Sequence, residues 1–257
     1  MNLDPSKFGR ATIVDRHDFS EDLWTIRVAL DFPFSFKPGQ YATLGVTDDE
    51  GLHERAYSIV SSPREKELEF FIELVPQGEL TPRLYKLKKG DSMSIRRSAK
   101  GLFTLDRKSG HTHHLQVATV TGVAPFLSVL RTFILGEPVP EGIKILLLEA
   151  ASRSWEFPYV AELDELARKL PFFQVVHSIS RPWEDKTWTG EKGRAEDLVR
   201  KYADAGGFTA DRTTAYLCGH PQMIENTKSI LSRVGFEKTA LHEEIYWIPK
   251  KSAAAGE

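Results

Sequence analysis

The sequence predicts two domains, an antiparallel β-barrel followed by an α/β domain built on a parallel sheet. Two observations predict it. From Ala11 to Leu105, short runs rich in β-branched and aromatic residues alternate with turn residues, as in a closed antiparallel barrel or a sandwich. After about residue 107, apolar strands alternate with helical patterns, which implies a parallel sheet covered on both faces. The domains are expected over 1–107 and 108–257.

Taken in order, Thr12-Ile13-Val14 and Leu23-Trp24-Thr25-Ile26-Arg27-Val28 read as strands. Lys37-Pro38-Gly39-Gln40 is a turn that feeds a strand from Tyr41. Glu54 to Val60 alternates as a strand, and Glu67 to Val75 is a longer one with charges on one side. A helix follows Gly78, with Thr81 as its cap and Pro82 at its first position. Ser92 to Arg96, entered through Lys89-Gly90-Asp91, is another strand.

In the second half, strands are expected at Leu115–Val120, Ile143–Leu148, Phe172–Ile179 and Thr214–Cys218. Helices are expected at Phe126–Phe133, Tyr159–Lys169, Ala195–Tyr202 and Pro221–Val234, and Thr239 to Trp247 ends the fold. Ligands of such a sheet bind at the carboxyl ends of its strands.

Composition narrows the function. The chain has 257 residues, 41% of them hydrophobic, and a formal net charge of -2. That composition allows a full core and makes no case for nucleic acid or an anionic membrane. A single cysteine, Cys218, excludes an internal disulfide and a four-thiolate iron–sulfur cluster. The start of the chain lacks the basic and apolar regions of a secretory signal, and no apolar run nears the ~20 residues of a membrane span. A soluble cytoplasmic protein is expected. His111, His113 and His114 are expected in a solvated polar loop rather than around a metal.

Four short stretches stand at the joints of this framework. In Arg55-Ala56-Tyr57-Ser58, strand geometry puts Arg55 and Tyr57 on one face and Ala56 and Ser58 on the other. A cation beside a flat ring suits a ligand with an anionic part and a planar part, and a flavin dinucleotide has both. An ordinary strand with one exposed Arg and one packed Tyr has the same residues. The others are Gly78-Glu79-Leu80-Thr81 before a helix, Thr121-Gly122-Val123-Ala124-Pro125 after a strand, and Cys218-Gly219-His220-Pro221-Gln222-Met223.

In that order, from about Ala11 to Trp247, the chain resembles the ferredoxin–NADP reductase family, in particular its bacterial branch. The resemblance implies an FAD barrel and an NADP(H) domain. It implies that Arg55 meets the FAD pyrophosphate, Tyr57 stacks on the isoalloxazine, and Ser58 lies near flavin N5. It places Gly78, Leu80 and Thr81 at the pyrophosphate, with Ala56, Ile59, Phe71 and Glu73 also lining the cofactor. Thr121, Gly122 and Pro125 fall at the nicotinamide nucleotide, with Gly219, Gln222 and Met223. Cys218 then stands beside the reacting nicotinamide carbon, and Glu244 near the flavin, so Tyr57, Ser58, Cys218 and Glu244 form the catalytic set.

Two departures are visible. The family's Gly-Thr-Gly turn reads Val120-Thr121-Gly122 here, so a side chain replaces a hydrogen where the backbone approaches the cofactor. Tyr246-Trp247 matches a pair that closes the chain in one subgroup, where an aromatic covers part of the flavin nucleotide, but ten residues follow it here. Coenzyme choice falls to arginines near the adenosine ribose, because a 2′-phosphate is a dianion. Ser180-Arg181 and Arg194 resemble the family's phosphate residues, and Arg153 is a further candidate. Lys86, Lys88, Lys89, Arg96, Arg97 and Lys100 form a basic set, serving either solubility alone or docking of an acidic carrier. The expected function is hydride exchange with NADP(H) and single-electron exchange with ferredoxin or flavodoxin, by a monomer. The alternatives are the reductase component of an oxygenase, a free flavin reductase, or a non-catalytic nucleotide-binding subunit.

Overall fold

The computed structural model describes residues 3–246. Trp247, expected over the flavin nucleotide, lies outside the described residues. Two six-stranded sheets organise the chain.

The first sheet is antiparallel throughout. It contains β1 (Phe8–Asp18), β2 (Leu23–Leu30), β3 (Tyr41–Asp48), β4 (Gly51–Ser58), β5 (Leu68–Glu73) and β6 (Ser92–Arg96), in the order β4-β3-β6-β1-β2-β5. The sheet curls toward a barrel, and the chain just past β4 links its two edges. There Ile59 N–H donates to Gln40 O at 3.1 Å and Val60 N–H to Glu69 O at 2.9 Å. Inward residues of β1, β2, β3, β5 and β6, among them Ile13, Trp24, Ile26, Leu44, Phe70 and Ile95, form one buried cluster, and Tyr57 of β4 packs against it. Burial of a side chain of this size is worth about 1.5–3 kcal/mol.

The helix after Gly78 is short, α1 (Thr81–Tyr85), and its cap differs from expectation. Leu80 holds the cap position without a side-chain bond. The Thr81 hydroxyl instead accepts from Val75 N–H at 2.9 Å and donates to Val75 O at 3.1 Å. Thr81 therefore staples the turn that precedes the helix and is not free to cap it.

The second sheet is parallel: β7 (His113–Thr119), β8 (Lys144–Ala151), β9 (Phe173–Ile179), β10 (Glu191–Lys192), β11 (Thr213–Gly219) and β12 (Leu241–Ile245), in the order β10-β9-β8-β7-β11-β12. α2 (Ala124–Ile134) and α3 (Val160–Lys169) cover one face through Phe126, Leu130, Leu163 and Leu166. α4 (Ala195–Gly206) and α5 (Pro221–Ser232) cover the other through Val199, Ala203, Ile224 and Leu231. The chain runs outward from β7 in one direction and returns to β11 on its other side, so the switch in strand order lies between them.

His113 and His114 correct the sequence reading. They open β7 and are buried, not part of a solvated loop. Aromatic neighbours make this tolerable: His113 meets Phe208 edge-on, and the His114 ring lies 5.8 Å from that of Tyr216.

The two sheets share a core. Leu23, Val60, Phe71 and Phe103 of the first half pack into the cluster under α2 and α3. A polar seam adds direction. Ser128 Oγ donates to Ser61 O at 2.7 Å, and Ser62 Oγ lies 2.8 Å from Thr132 Oγ1. Arg131 from α2 reaches Glu69 on β5 at 2.9 Å and Glu162 on α3 at 2.6 Å, and Tyr159 OH donates to Glu69 at 2.6 Å.

Candidate functional site

Two places bring the expected residues together, and Tyr246 joins them. The first is the inner end of β4, an edge strand. Arg55 is exposed there, and its guanidinium donates to Glu54 O at 2.6 Å and to the Glu79 carboxylate. Glu79 sits between Gly78 and Leu80, so Arg55 already pins that turn to the strand. Tyr57 is half-buried against the barrel core, opposite Ala42 in the register, and burial raises its phenol pKa against the pull of Arg55. Ala56 is exposed. Ile59, Phe71 and Leu80 are core residues, so their main chain rather than their side chains can face a ligand. Phe71 meets Tyr159 edge-on at 5.7 Å, inside the packing between the sheets.

Ser58 is buried beyond Tyr57 and donates its hydroxyl to Glu244 on β12. Burial raises the Glu244 carboxyl above the ordinary range, and the bond from Ser58 opposes that shift. Glu244 stands beside Cys218 in the parallel register of β11 and β12. Cys218 has 0% exposure. Burial, then the charge of Glu244, push its thiol well up, so it is a neutral group rather than a thiolate. Tyr246 lies near this group, where it interacts electrostatically with Cys218, Glu244 and Ser58.

The second place is a crevice of about 710 Å³ at the carboxyl ends of the parallel strands. Thr119, Val120 and Thr121 form its floor with Gly219 and His220, and Leu23, Glu73 and Val75 of the first half form the opposite wall. The two motif glycines make the floor possible. A Cβ on Gly122 would lie 2.2 Å from Cys218 O, and one on Gly219, whose φ is +124°, would lie 2.1 Å from Thr119 Oγ1. The strand ends thus cross backbone to backbone, and Thr119 Oγ1 accepts from His220 N–H at 2.8 Å. Val120 stands beside this crossing with φ 47°, a left-handed conformation costly for a β-branched residue. The missing glycine is therefore present as strain in the turn.

Gln222 and Met223 line the crevice, while Pro125 is buried at the start of α2. Ser180, Arg181, Arg153 and Arg194 also line it. The sequence reading missed their acidic partners. Arg153 Nη1 lies 3.2 Å from Glu156, Arg153 Nε 2.5 Å from Glu184, Arg181 3.6 Å from Glu184, and Arg194 4.0 Å from Glu196. The i,i+3 spacing of Arg153 with Glu156 and Arg181 with Glu184 was the available signal. It also missed His220, whose Nδ1 accepts from Gln222 N–H at 3.1 Å and caps α5. Elsewhere Asp48, Glu50 and His53 bring three ligand atoms within 4.8 Å of one another, but Arg83 binds both carboxylates.

Comparison with known proteins follows this division. Residues 10–104 match the model of an oxidoreductase FAD-binding domain, and 117–229 that of an oxidoreductase NAD-binding domain. A flavodoxin/ferredoxin–NADP reductase of Shigella flexneri is 31% identical over 202 residues, 75% of this chain and 77% of that protein. A ferredoxin–NADP reductase of Pseudomonas aeruginosa is 30% identical over 233 residues, 88% of this chain and 89% of that one. The chain belongs to the ferredoxin–NADP reductase family. The structure of a ferredoxin NADP+ reductase from Neisseria gonorrhoeae shares the fold, with a TM-score of 0.81 at 24% identity, over 94% of this chain and 99% of that one. In family terms, the curled sheet is the FAD side and the parallel sheet the NADP(H) side. The described residues include no helix long and apolar enough to cross a membrane.

Proposed function

We propose that this chain is an FAD-dependent reductase that exchanges hydride with NADP(H) and single electrons with ferredoxin or flavodoxin. One observation carries the reading: Ser58 of the FAD side donates to Glu244 of the NADP(H) side, which pairs in register with Cys218, and Cys218 leads through Gly219 into the dinucleotide crevice. A flavin edge and a nicotinamide must meet at such a junction.

The residues fit both cofactors. Arg55 is an exposed cation beside a half-buried ring, and the crevice is of a size that takes a nucleotide. FAD bound there supplies two-electron exchange with nicotinamide and one-electron exchange with a carrier. The chain supplies placement. Arg55 would bind the pyrophosphate, and Tyr57 would offer its ring to the isoalloxazine. The Ser58 hydroxyl and the Glu244 carboxyl hold a proton beside that ring, since burial keeps Glu244 protonated to higher pH than a surface glutamate. Cys218 is uncharged, and the neighbouring Glu244 pushes its thiol up rather than activating it, so it acts by shape. Arg153, Arg181 and Arg194 take the 2′-phosphate end.

Lys86, Lys88, Lys89 and Lys100 are exposed and available to an acidic carrier. Arg96 and Arg97 serve the fold instead: Arg96 binds Glu54 at 2.6 Å, and Arg97 donates to Pro5 O at 2.8 Å. The protein works as a cytoplasmic monomer, with its domains divided near residue 107. Anaerobic reduction of cytochrome c by NADPH tests the carrier. Added ferredoxin or flavodoxin should speed it severalfold; no acceleration by either points to an oxygenase reductase or a free flavin reductase.

A further inference from the structure

The mouth of the crevice is not simply basic. Each of its arginines meets a carboxylate; Glu156 and Glu196 line the crevice themselves, and Glu184 meets it through Arg153 and Arg181. Glu156 also accepts from Ser152 N–H at 2.9 Å, and Glu196 from Asn226 Nδ2 at 3.1 Å, so both help build the local chain path. Glu184 directs its two oxygens at two arginines, Oε2 to Arg153 Nε at 2.5 Å and Oε1 to Arg181 Nη1 at 3.6 Å. It bridges the end of β8 to the end of β9.

Its position is built in. Arg181-Pro182-Trp183-Glu184 is a tight turn, closed by Glu184 N–H on Arg181 O at 3.0 Å. Proline presets the first central residue of such a turn. The next residue, Asp185, is buried and anchored by the Ser154 and Thr187 hydroxyls. Glu184 is therefore returned onto Arg181 by a rigid frame, not by chance contact of two surface side chains.

We propose that Glu184 is the residue that sets coenzyme discrimination, and that the crevice accepts NAD(H) as well as NADP(H). The inference rests on reading the crevice as a nicotinamide dinucleotide site. A ribose 2′-hydroxyl donates to a carboxylate, which is how acidic residues favour NAD in dinucleotide folds. A 2′-phosphate needs the same arginines that Glu184 occupies, and it meets a like charge between them. With NADP(H), Glu184 is a counter-ion that must be displaced from Arg153 and Arg181. With NAD(H), it stays and accepts the hydroxyl. The chain thus carries a cation of an NADP site, Arg181, and the acid of an NAD site, Glu184, on one turn, with Arg153 against it.

Equilibrium titration of the FAD-loaded protein with NADP+ and NAD+, followed by the flavin difference spectrum, tests this in the wild type, Glu184→Gln and Glu184→Ala. FAD content and thermal melting check that the variants fold. Wild-type protein should bind both coenzymes. Glu184→Gln should tighten NADP+ about tenfold and weaken NAD+ severalfold, the scale of one charge-assisted contact, and Glu184→Ala should move the ratio the same way. An unchanged ratio of the two dissociation constants would overturn the proposal. So would weaker NADP+ binding, which would mean that Glu184 orients the arginines for the phosphate. Wild-type protein that binds neither coenzyme would overturn the reading of the crevice itself, and this proposal with it.

Discussion

Cys218 is where residue chemistry constrains the mechanism most. It is buried, neutral and held against Tyr246, at the point where β11 turns through Gly219 into the crevice floor. A neutral buried thiol is a poor nucleophile, so its contribution is a contact surface of fixed shape. Cys218→Ser replaces the soft sulfur with a smaller, more polar oxygen in the same packing. Flavin reduction by NADPH in stopped flow should slow by about ten- to a hundredfold, the scale of a misplaced reactant, while FAD stays bound. A reduction rate equal to wild type would leave Cys218 a packing residue. Val120 tells a related story. The sequence showed a valine where the family has glycine, but the positive φ that gives the departure its cost is a property of the backbone path.

Among the elements, the seam between α2, α3 and β5 sets how the halves meet. Arg131 is largely buried; burial works against its charge, but Glu162 and Glu69 outweigh that and raise its pKa. Tyr159 OH binds the same Glu69. Removing one partner of a buried pair strands the other charge. Arg131→Ala should therefore destabilise by about 3–5 kcal/mol in urea unfolding; a loss under about 1 kcal/mol would mean that solvent reaches Glu69.

Element type was largely legible, because the change from period-2 to helical patterning near residue 107 reflects two ways of burying apolar faces. The Arg55 to Ser58 strand and the glycines at the crevice were legible for the same local reasons. Three things were not. His113 and His114 read as polar, but their strand is fixed by pairing with β8 and β11 and by distant aromatic partners. β10 has two residues, too few for any periodicity. The Thr81 hydroxyl had two equally local partners, the helix end and Val75, and the turn took it.

For the whole molecule, His114 ties stability to pH. It is buried on β7, with Tyr216 OH 3.3 Å from its Nδ1. Burial lowers its pKa to about 4, helped by His113, His111 and Arg107 and opposed by Asp106. The unfolded chain protonates this histidine at roughly pH 6.5. Between those values the unfolded state binds a proton that the folded state refuses. The contribution is intact above about pH 6.5 and is lost as pH falls toward 4, amounting to about 3 kcal/mol. Urea unfolding between pH 7.5 and 4.5 should show a shallower fall in stability for His114→Gln than for wild type; parallel curves would mean that His114 is protonated in the fold.

The whole account rests on a flavin seated between Arg55 and the Ser58–Glu244–Cys218 junction. The most direct test is the visible spectrum of the purified protein during anaerobic titration with NADPH. The account predicts yellow protein with flavin absorbance bands that bleach as NADPH is added, and an Arg55→Ala variant that has lost much of its flavin. A colourless wild-type protein that takes up no added FAD, or bound FAD that NADPH leaves oxidised, would contradict it.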